Sequence, residues 1–567
     1  MADITKIRLD GSDYDIKDQI ARDNRLKILN LSSTDNIQDA LNTEGAKIIV
    51  LPAGVTFTFS DVLFVNSDTI LDLNGSTIVF DYQRSSIFSY DWDETLGFMS
   101  YHPDSTYTGY DGVKNVTIKN GTIAGGCSCF LHSQNITFDN VTFTSLGCRH
   151  AMQLAGCKNF TVKNCTFNGT LTVATALKSS ECINIDPCTY GAQPYISEYS
   201  TMFDHTKNMN IVIENNKFNP TNSPNRSYQT AVGGHGGDDG YVVAENVIIR
   251  NNDFTDPLAS GINIRDFDNV VIENNIQTGN ISSTSAFIIK RGAINNAEVN
   301  NNIVNNINNF FYNDTPSNAI TNLNCCGNKI VAIDNNSDAN GVFLLINVHD
   351  SVFADNDVKF QHHAVFIRDK DYWDGTSVGT SGYSDNVVFK NNRFEKTVAS
   401  AQYWNIRLGN STNLSFVNNS FVHDDTLQSN YYDFLVQSNV TFTSVQGNTT
   451  DSPAKFVDPA KVTEKFWNNN AVYIQNAIIN SATASGTLKT SASNYRAIIL
   501  NVGSSSKTQT FTLEPFYNDG VKLTNRTYTF QTESTGGTVA SSTFTISNGT
   551  DWSYSGSGNL RMIICKD

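Results

Sequence analysis

Charge is scarce in this chain of 567 residues. Asp, Glu, Lys and Arg make up only 17% of it, and 39 basic side chains face 55 acidic ones for a net charge of −16. A nucleic-acid partner is therefore not expected, because neutralising phosphates needs a basic face. Proline is sparse at 11 residues and glycine ordinary at 37, which excludes collagen and Pro-rich disordered chains. No apolar run approaches the ~20 residues of a membrane helix, so no membrane partner is expected. The opening Met1 to Lys6 lacks a basic segment followed by an apolar one, so no secretory leader is expected. The ten cysteines include seven between Cys127 and Cys188, yet no C-x-x-C pair occurs. A chain this long does not need disulfide staples, so they read as reduced, buried thiols. Cys127, Cys129, Cys148 and Cys157 form a weak alternative grouping for a metal. No metal or cofactor is expected, and a structural calcium ion is not indicated.

What is present is Asn, Ser and Thr for polarity, and 39% hydrophobic residues including 34 Phe and 22 Tyr, enough for a large core. One phrase repeats. It reads VTIKNGTI at Val116–Ile123, ITFDNVTF at Ile136–Phe143 and FTVKNCTF at Phe160–Phe167. It returns as IVIENNKF at Ile211–Phe218, VIIRNNDF at Val247–Phe254, VVFKNNRF at Val387–Phe394 and LSFVNNSF at Leu414–Phe421. Its polar position falls at 120, 140, 164, 215, 251, 274, 301, 328, 355, 391 and 418, Asn throughout except Asp355, and the commonest step is 27 residues. Period-2 alternation inside a period near 27 predicts an all-β solenoid whose coils stack at ~4.8 Å through parallel pairing. The repeated Asn is expected to form an amide ladder between coils and to occupy tight turns.

The repeat resembles the pectate lyase-like superfamily of right-handed parallel β-helices. The opening strengthens the resemblance: a capped helix at Thr34–Leu41 (TDNIQDAL), then Ile48–Phe57 (IIVLPAGVTF) and Thr69–Gly75 (TILDLNG), as phage tailspikes of this superfamily begin. Residues Ile4–Asp18 (ITKIRLDGSDYDIKD) resemble the start of tail or baseplate proteins from phages of Gram-positive bacteria. The expected organisation is an N-terminal attachment segment, partly helical, over 1–32 and a β-helix over 33–450. A linker helix over 451–470, capped by Asp458 and Pro459, leads to a C-terminal antiparallel β-sandwich over 471–567 for trimerisation or receptor binding.

A β-helix displays alternate side chains of each strand on a long groove. Taking apolar members as inward, one outward column reads Asp186, His235, Arg265, Lys290, and a second reads Gln153, Asn184, Gly233, Asn263. The structural alternative for the first column is a ladder of salt bridges, which contributes little stability when exposed. Long insertions flank these coils, and Glu181, Asp238 and Asp239 add acids at the same level. Two carboxylates suit glycoside hydrolysis. Catalytic candidates are thus Asp186, His235, Asp238, Asp239 and Glu181. Asn184, Asn263, Arg265 and Lys290 are substrate-binding candidates, joined by the loop aromatics Tyr372, Trp373 and Trp404. The mixture resembles polygalacturonase sites in kind, although the paired Asp of that family precede the Gly-His-Gly. In a lyase version Lys290, Arg265 or His235 would abstract the proton beside a uronate carboxyl.

The expectation is a trimeric phage tail protein, attached to the tail or baseplate through its N-terminus, that binds and depolymerises a bacterial surface polysaccharide. Hydrolysis is favoured over a lyase reaction. The rivals are a non-catalytic adhesin on the same scaffold and a bacterial enzyme unrelated to phage.

Overall fold

Beyond the strands Lys6–Leu9 and Ser12–Asp15, the computed structural model describes residues 26–80, 97–101, 105–144, 150–168, 181–189, 202–219, 230–234, 241–279, 286–290, 292–313, 318–332, 341–368, 383–397, 405–423, 433–436, 440–450, 473–487, 497–503, 508–513, 517–518, 521–522, 525–533, 539–548 and 551–566. No described helix is long and apolar enough to cross a membrane. The chain divides into two units, residues 1–297 and 298–567.

In the first unit, Lys6–Leu9 pairs antiparallel with Ser12–Asp15. The β-helix then begins at Lys27–Asn30, which pairs parallel with Lys47–Val50, itself paired with Thr69–Asp72. The helix expected to run to Leu31 is thus replaced by strand at its end, and the coils start a few residues before 33. Pairing wins there because a short isolated helix is marginal, whereas a strand completes a sheet edge. The capping helix is as expected, at Ile37–Leu41. Asn36 caps it by accepting from the backbone N–H of Gln38 and Asp39, and Ile37 and Leu41 are buried.

Each coil contributes three strands, and their successive parallel pairing makes a right-handed parallel β-helix. In one coil Lys158–Lys163 turns a corner into Thr166–Asn168, and Glu181–Asp186 forms the third side. The corner needs a left-handed backbone residue. Asn120, Asn140, Asn164, Asn215, Asn251 and Asn274 take it with φ between 54° and 61°. Asn tolerates this region better than other residues bearing a side chain, which explains the recurring position. A second left-handed column, Asn115, Asn135, Asn159, Asn210, Asn246 and Asn269, opens the first strands. There each amide reaches the coil above, as from Asn159 Nδ2 to Asn135 Oδ1 at 2.8 Å.

The buried amide ladder lies one residue beyond the corner. In the first unit Asn216 Nδ2 donates to Asn252 Oδ1, and Asn252 Nδ2 to Asn275 Oδ1, both at 3.0 Å. The second unit carries Asn302, Asn328, Asn356, Asn392, Asn419 and Asn448 in unbroken succession at 2.9–3.0 Å. Asn356 shows the complete pattern. Its Oδ1 accepts the backbone and side-chain N–H of Asn328, and its Nδ2 donates to Asn392 Oδ1 and to the carbonyl of Cys325. All four hydrogen-bonding capacities of the amide are filled in a dry interior. Asn328, expected at the corner, belongs to this ladder, and Gly327 with φ 68° is the corner residue of its coil. Phenylalanines stack beside it at the coil spacing. Phe143, Phe167 and Phe218 sit 4.8 and 4.7 Å apart in the first unit, and Phe353, Phe389 and Phe416 sit 4.9 Å apart in the second.

The second unit also holds the C-terminal strands. Asp551–Lys566 pairs antiparallel with Tyr473–Thr487, Ala497–Gly503 and Val539–Ser547. The resulting six-stranded sheet closes on one core of Ile498, Leu500, Val502, Phe544, Ile546, Trp552 and Leu560. The linker helix expected at 451–470 lies outside the described residues.

Replacing Asn356 by Ala strands the buried donor of Asn328 and the acceptor of Asn392. The expected loss is about 2–4 kcal/mol of unfolding free energy in urea. Asn391→Gly, at an exposed corner with φ 56°, is expected to stay within about 0.5 kcal/mol of the parent.

Candidate functional site

The two-strand wrapped sheet and the third sheet treat their outer faces differently. Val247 to Arg250 alternates between buried and half-exposed, whereas every residue of Met152–Ala155, Glu181–Asp186, Thr230–Gly233 and Ser260–Ile264 is buried. Polar side chains on the outer face of the third sheet must therefore find partners within the protein.

Alternation puts Ile183 and Ile185 on one face and Asn184 and Asp186 on the other. The register aligns Gln153 with Asn184 and Asn184 with Gly233. The outcome is a connected polar cluster. One oxygen of Asp186 accepts from Gln153 Nε2 at 2.6 Å and from Asn184 Nδ2 at 2.9 Å. The Asn184 amide also donates to His150 Nε2 at 3.3 Å, which leaves the imidazole proton on Nδ1. That nitrogen donates to the Glu181 carbonyl at 2.9 Å and lies 3.6 Å from Glu181 Oε2. Glu181 passes close to Gly233, where an added Cβ would stand 2.9 Å from Glu181 Cγ and from Asn263 Cβ. Glycine is thus required at 233 for space. Asn263 directs its amide at the Gly234 carbonyl at 3.5 Å.

The arrangement joins two carboxyl groups, an imidazole and two amides. Asp186 is held as an acceptor, and Glu181 lies beside the His150 imidazole. Such a set can perform general acid–base or nucleophilic chemistry at a glycosidic bond.

The structure brings together Glu181, Asn184 and Asp186, with Asn263 adjoining. Arg265 follows its strand and is partly exposed. His235, Asp238, Asp239, Tyr372, Trp373 and Trp404 lie outside the described residues. Lys290 is displaced from the expected column. Ile262 pairs with Ile288 and Ile264 with Lys290, so Lys290 shares the apolar face. The run Ala286 to Ile289 has no alternation to fix its phase, and a one-residue slip exchanges faces. Buried there, the Lys290 amine is pushed down to about 7, an effect that neighbouring Asp266 partly offsets. Burial in turn raises the Asp266 carboxyl, against a 2.7 Å hydrogen bond from the Ala293 N–H.

His150 and Gln153 complete the cluster. Gln153 was visible in the second column. His150 precedes its strand and carries no periodic signal. Of the cysteine grouping, Cys127 and Cys129 lie 3.6 Å apart inside an apolar cluster with Met99, Tyr101 and Leu131, and Cys148 lies outside the described residues.

The second unit carries a smaller buried group. His423 Nε2 lies 2.7 Å from Asp433 Oδ1, and Asn405 Nδ2 donates to the same oxygen at 2.6 Å. Burial raises the Asp433 carboxyl, with His423 acting in the opposite sense. On the same sheet Arg407 lies over the Phe366 ring at 4.6 Å.

No family model matches the chain. Over 287 residues it is 25% identical to plasmin and fibronectin-binding protein A of Streptococcus pneumoniae; the match covers 45% of this chain and 38% of that protein's length. Among solved structures, the S. pneumoniae surface adhesin PfbA aligns at TM-score 0.48 with 18% identity, over 72% of this chain and 90% of that one. A tailspike of E. coli bacteriophage HK620, solved with a pentasaccharide, aligns at 0.44 with 12% identity, over 100% and 97%. A family 28 exopolygalacturonase of Yersinia enterocolitica aligns at 0.40 with 11% identity, over 75% and 78%. Tailspikes and a polygalacturonase are thus among the proteins this chain resembles in structure.

Lys290 yields a prediction on stability. Its folded value of about 7 lies below the ordinary 10.5, so between those values the unfolded chain binds more protons and folding stability rises with pH. The stability of the parent relative to Lys290→Met is therefore expected to improve steadily from pH 7 to 10, measured as the difference in Tm across that range.

Proposed function

We propose that this chain is a phage tail receptor-binding protein that binds a bacterial surface polysaccharide and hydrolyses it. The observation carrying this reading is the cluster of Glu181, His150, Asn184, Asp186 and Gln153 on the outer face of a β-helix sheet. Asp186, held by two amide N–H groups, is assigned as nucleophile or base, and Glu181, beside His150, as the proton donor. Asn184 and Asn263 would position the sugar, with Arg265 meeting negative charge at the edge. Hydrolysis is preferred to lyase chemistry because Lys290, a candidate base in a lyase, faces the apolar interior. Trimer formation, attachment through the N-terminus, location in the virion tail and a Gram-positive host belong to the same proposal.

A second reading, a non-catalytic adhesin, has its own support. Glu181 and Asp186 are only 1% and 0% exposed, and the chain is similar to a named streptococcal adhesin.

The test is digestion of capsule, exopolysaccharide and wall glycans that the protein binds, following reducing ends together with the ultraviolet absorbance of an unsaturated uronate. Reducing ends without new absorbance are expected, with Asp186→Asn and Glu181→Gln each lowering the rate about 100-fold or more while binding persists. Absorbance rising in step with reducing ends would overturn hydrolysis in favour of a lyase. Neither signal on a bound glycan would establish the adhesin.

A further inference from the structure

A second cluster in the first unit lies apart from those residues and uses three donor types. His132 and Cys188 are fully buried and Asp204 is partly exposed, and one ligand atom from each falls within 4.8 Å of the other two. His132 Nε2 lies 3.4 Å from Cys188 Sγ and 3.9 Å from Asp204 Oδ1. The three residues come from separate stretches of chain, so only the folded protein assembles them.

The surroundings of His132 point to a cation. Its Nδ1 lies 2.7 Å from the Gly109 carbonyl and its Nε2 2.6 Å from the Met202 carbonyl. A neutral imidazole has one N–H, so it can serve only one of two acceptors; the other contact sets lone pair against lone pair. Positive charge at Nε2, a second proton or a metal ion, resolves the conflict.

Two features favour the metal. The Cys188 thiol lies 3.2 Å from the same Met202 carbonyl that His132 Nε2 approaches, and nitrogen, sulfur and carboxylate donors converging on one point are the zinc donor set. The orientation of both side ligands is also held from outside. His132 Nδ1–H is directed at the Gly109 carbonyl, and Asp204 Oδ2 accepts the Gly109 N–H at 2.9 Å while its Oδ1 accepts from Thr206. Such second contacts fix the tautomer and ring angle of a metal-ligating histidine.

We propose that His132, Cys188 and Asp204 bind one zinc ion that staples the chain following Asp186 onto the β-helix. Binding through Nε2 leaves the histidine proton on Nδ1, releases the Cys188 thiol proton to solvent and leaves the site neutral, with two positive charges met by thiolate and carboxylate. Asp186 lies two residues before Cys188 and its carbonyl accepts from Asn208 at 2.8 Å, so the staple braces the polar cluster.

The test loads the full-length protein with zinc, removes excess metal by dialysis and measures bound metal by elemental analysis. About one zinc per chain is expected, with none in Cys188→Ser and full occupancy in Cys326→Ser, which removes a half-buried thiol elsewhere. Cobalt substitution supplies a readout independent of folding yield: a thiolate-to-cobalt charge-transfer band in the parent, absent from Cys188→Ser. Where that variant does not fold, Asp204→Asn, altered at the partly exposed ligand, is expected to shift the band and weaken retention. A parent that retains no zinc and gives no cobalt band overturns the proposal. So does a Tm that neither zinc loading nor a chelator changes.

Discussion

Within each unit the described coils lie on their neighbours at the spacing of hydrogen-bonded strands, and the rest of the structure depends on that one repeat distance. A ring or an amide placed at the same point in successive coils meets its own kind at ~4.8 Å. For phenylalanine this gives parallel stacks, and for asparagine it gives a ladder in which each amide donates one way and accepts the other. Hydrophobic burial alone would tolerate many lateral slips between coils. The buried amides do not, because a slip of one residue would leave donors and acceptors unpaired in an apolar interior.

The same stacking explains why chemistry collects on the third sheet. Strands flanking the Asn corner keep an ordinary alternation, with polar residues in water. The third strands are buried on both faces, so polar residues there are retained only as members of networks. Gln153, Asn184 and Asp186 descend from consecutive coils or from one strand, and their bonds run along the coil stack. Gly233 supplies the one missing side chain that lets Glu181 lie beside Asn263. His132, Cys188 and Asp204 meet around the Met202 carbonyl, which also accepts the Asp204 backbone N–H.

Much of this was legible in the sequence. The alternation and the 27-residue step identified parallel coils, and TDNIQDAL identified the capping helix. Asn184 and Asp186 were singled out because alternation placed them outward between isoleucines, and Glu181 as an acid at the same level. The errors share one cause. Asn328 was placed at a corner and Lys290 in an outward column because each lies in a stretch where the pattern loses its phase. In the first case Gly327 replaces the usual corner Asn. In the second, four apolar residues run together from Ala286 to Ile289. The corner Asn do bond between coils, as Asn140 Nδ2 to Asn120 Oδ1 at 3.1 Å, but the buried ladder runs through the residue after them; both are Asn in many copies, so spacing alone did not separate the two.

The sequence by itself determined the coil: its length, its strands, its left-handed corners and the identity of the residues that must stack. These are local or periodic properties, written in residue type and spacing. Only the tertiary structure decided which polar residues touch. His150 meets Glu181, and His132 meets Cys188 and Asp204, through contacts between segments tens of residues apart. No periodic signal marks such contacts, because they depend on how each coil closes and on which face remains covered after closure.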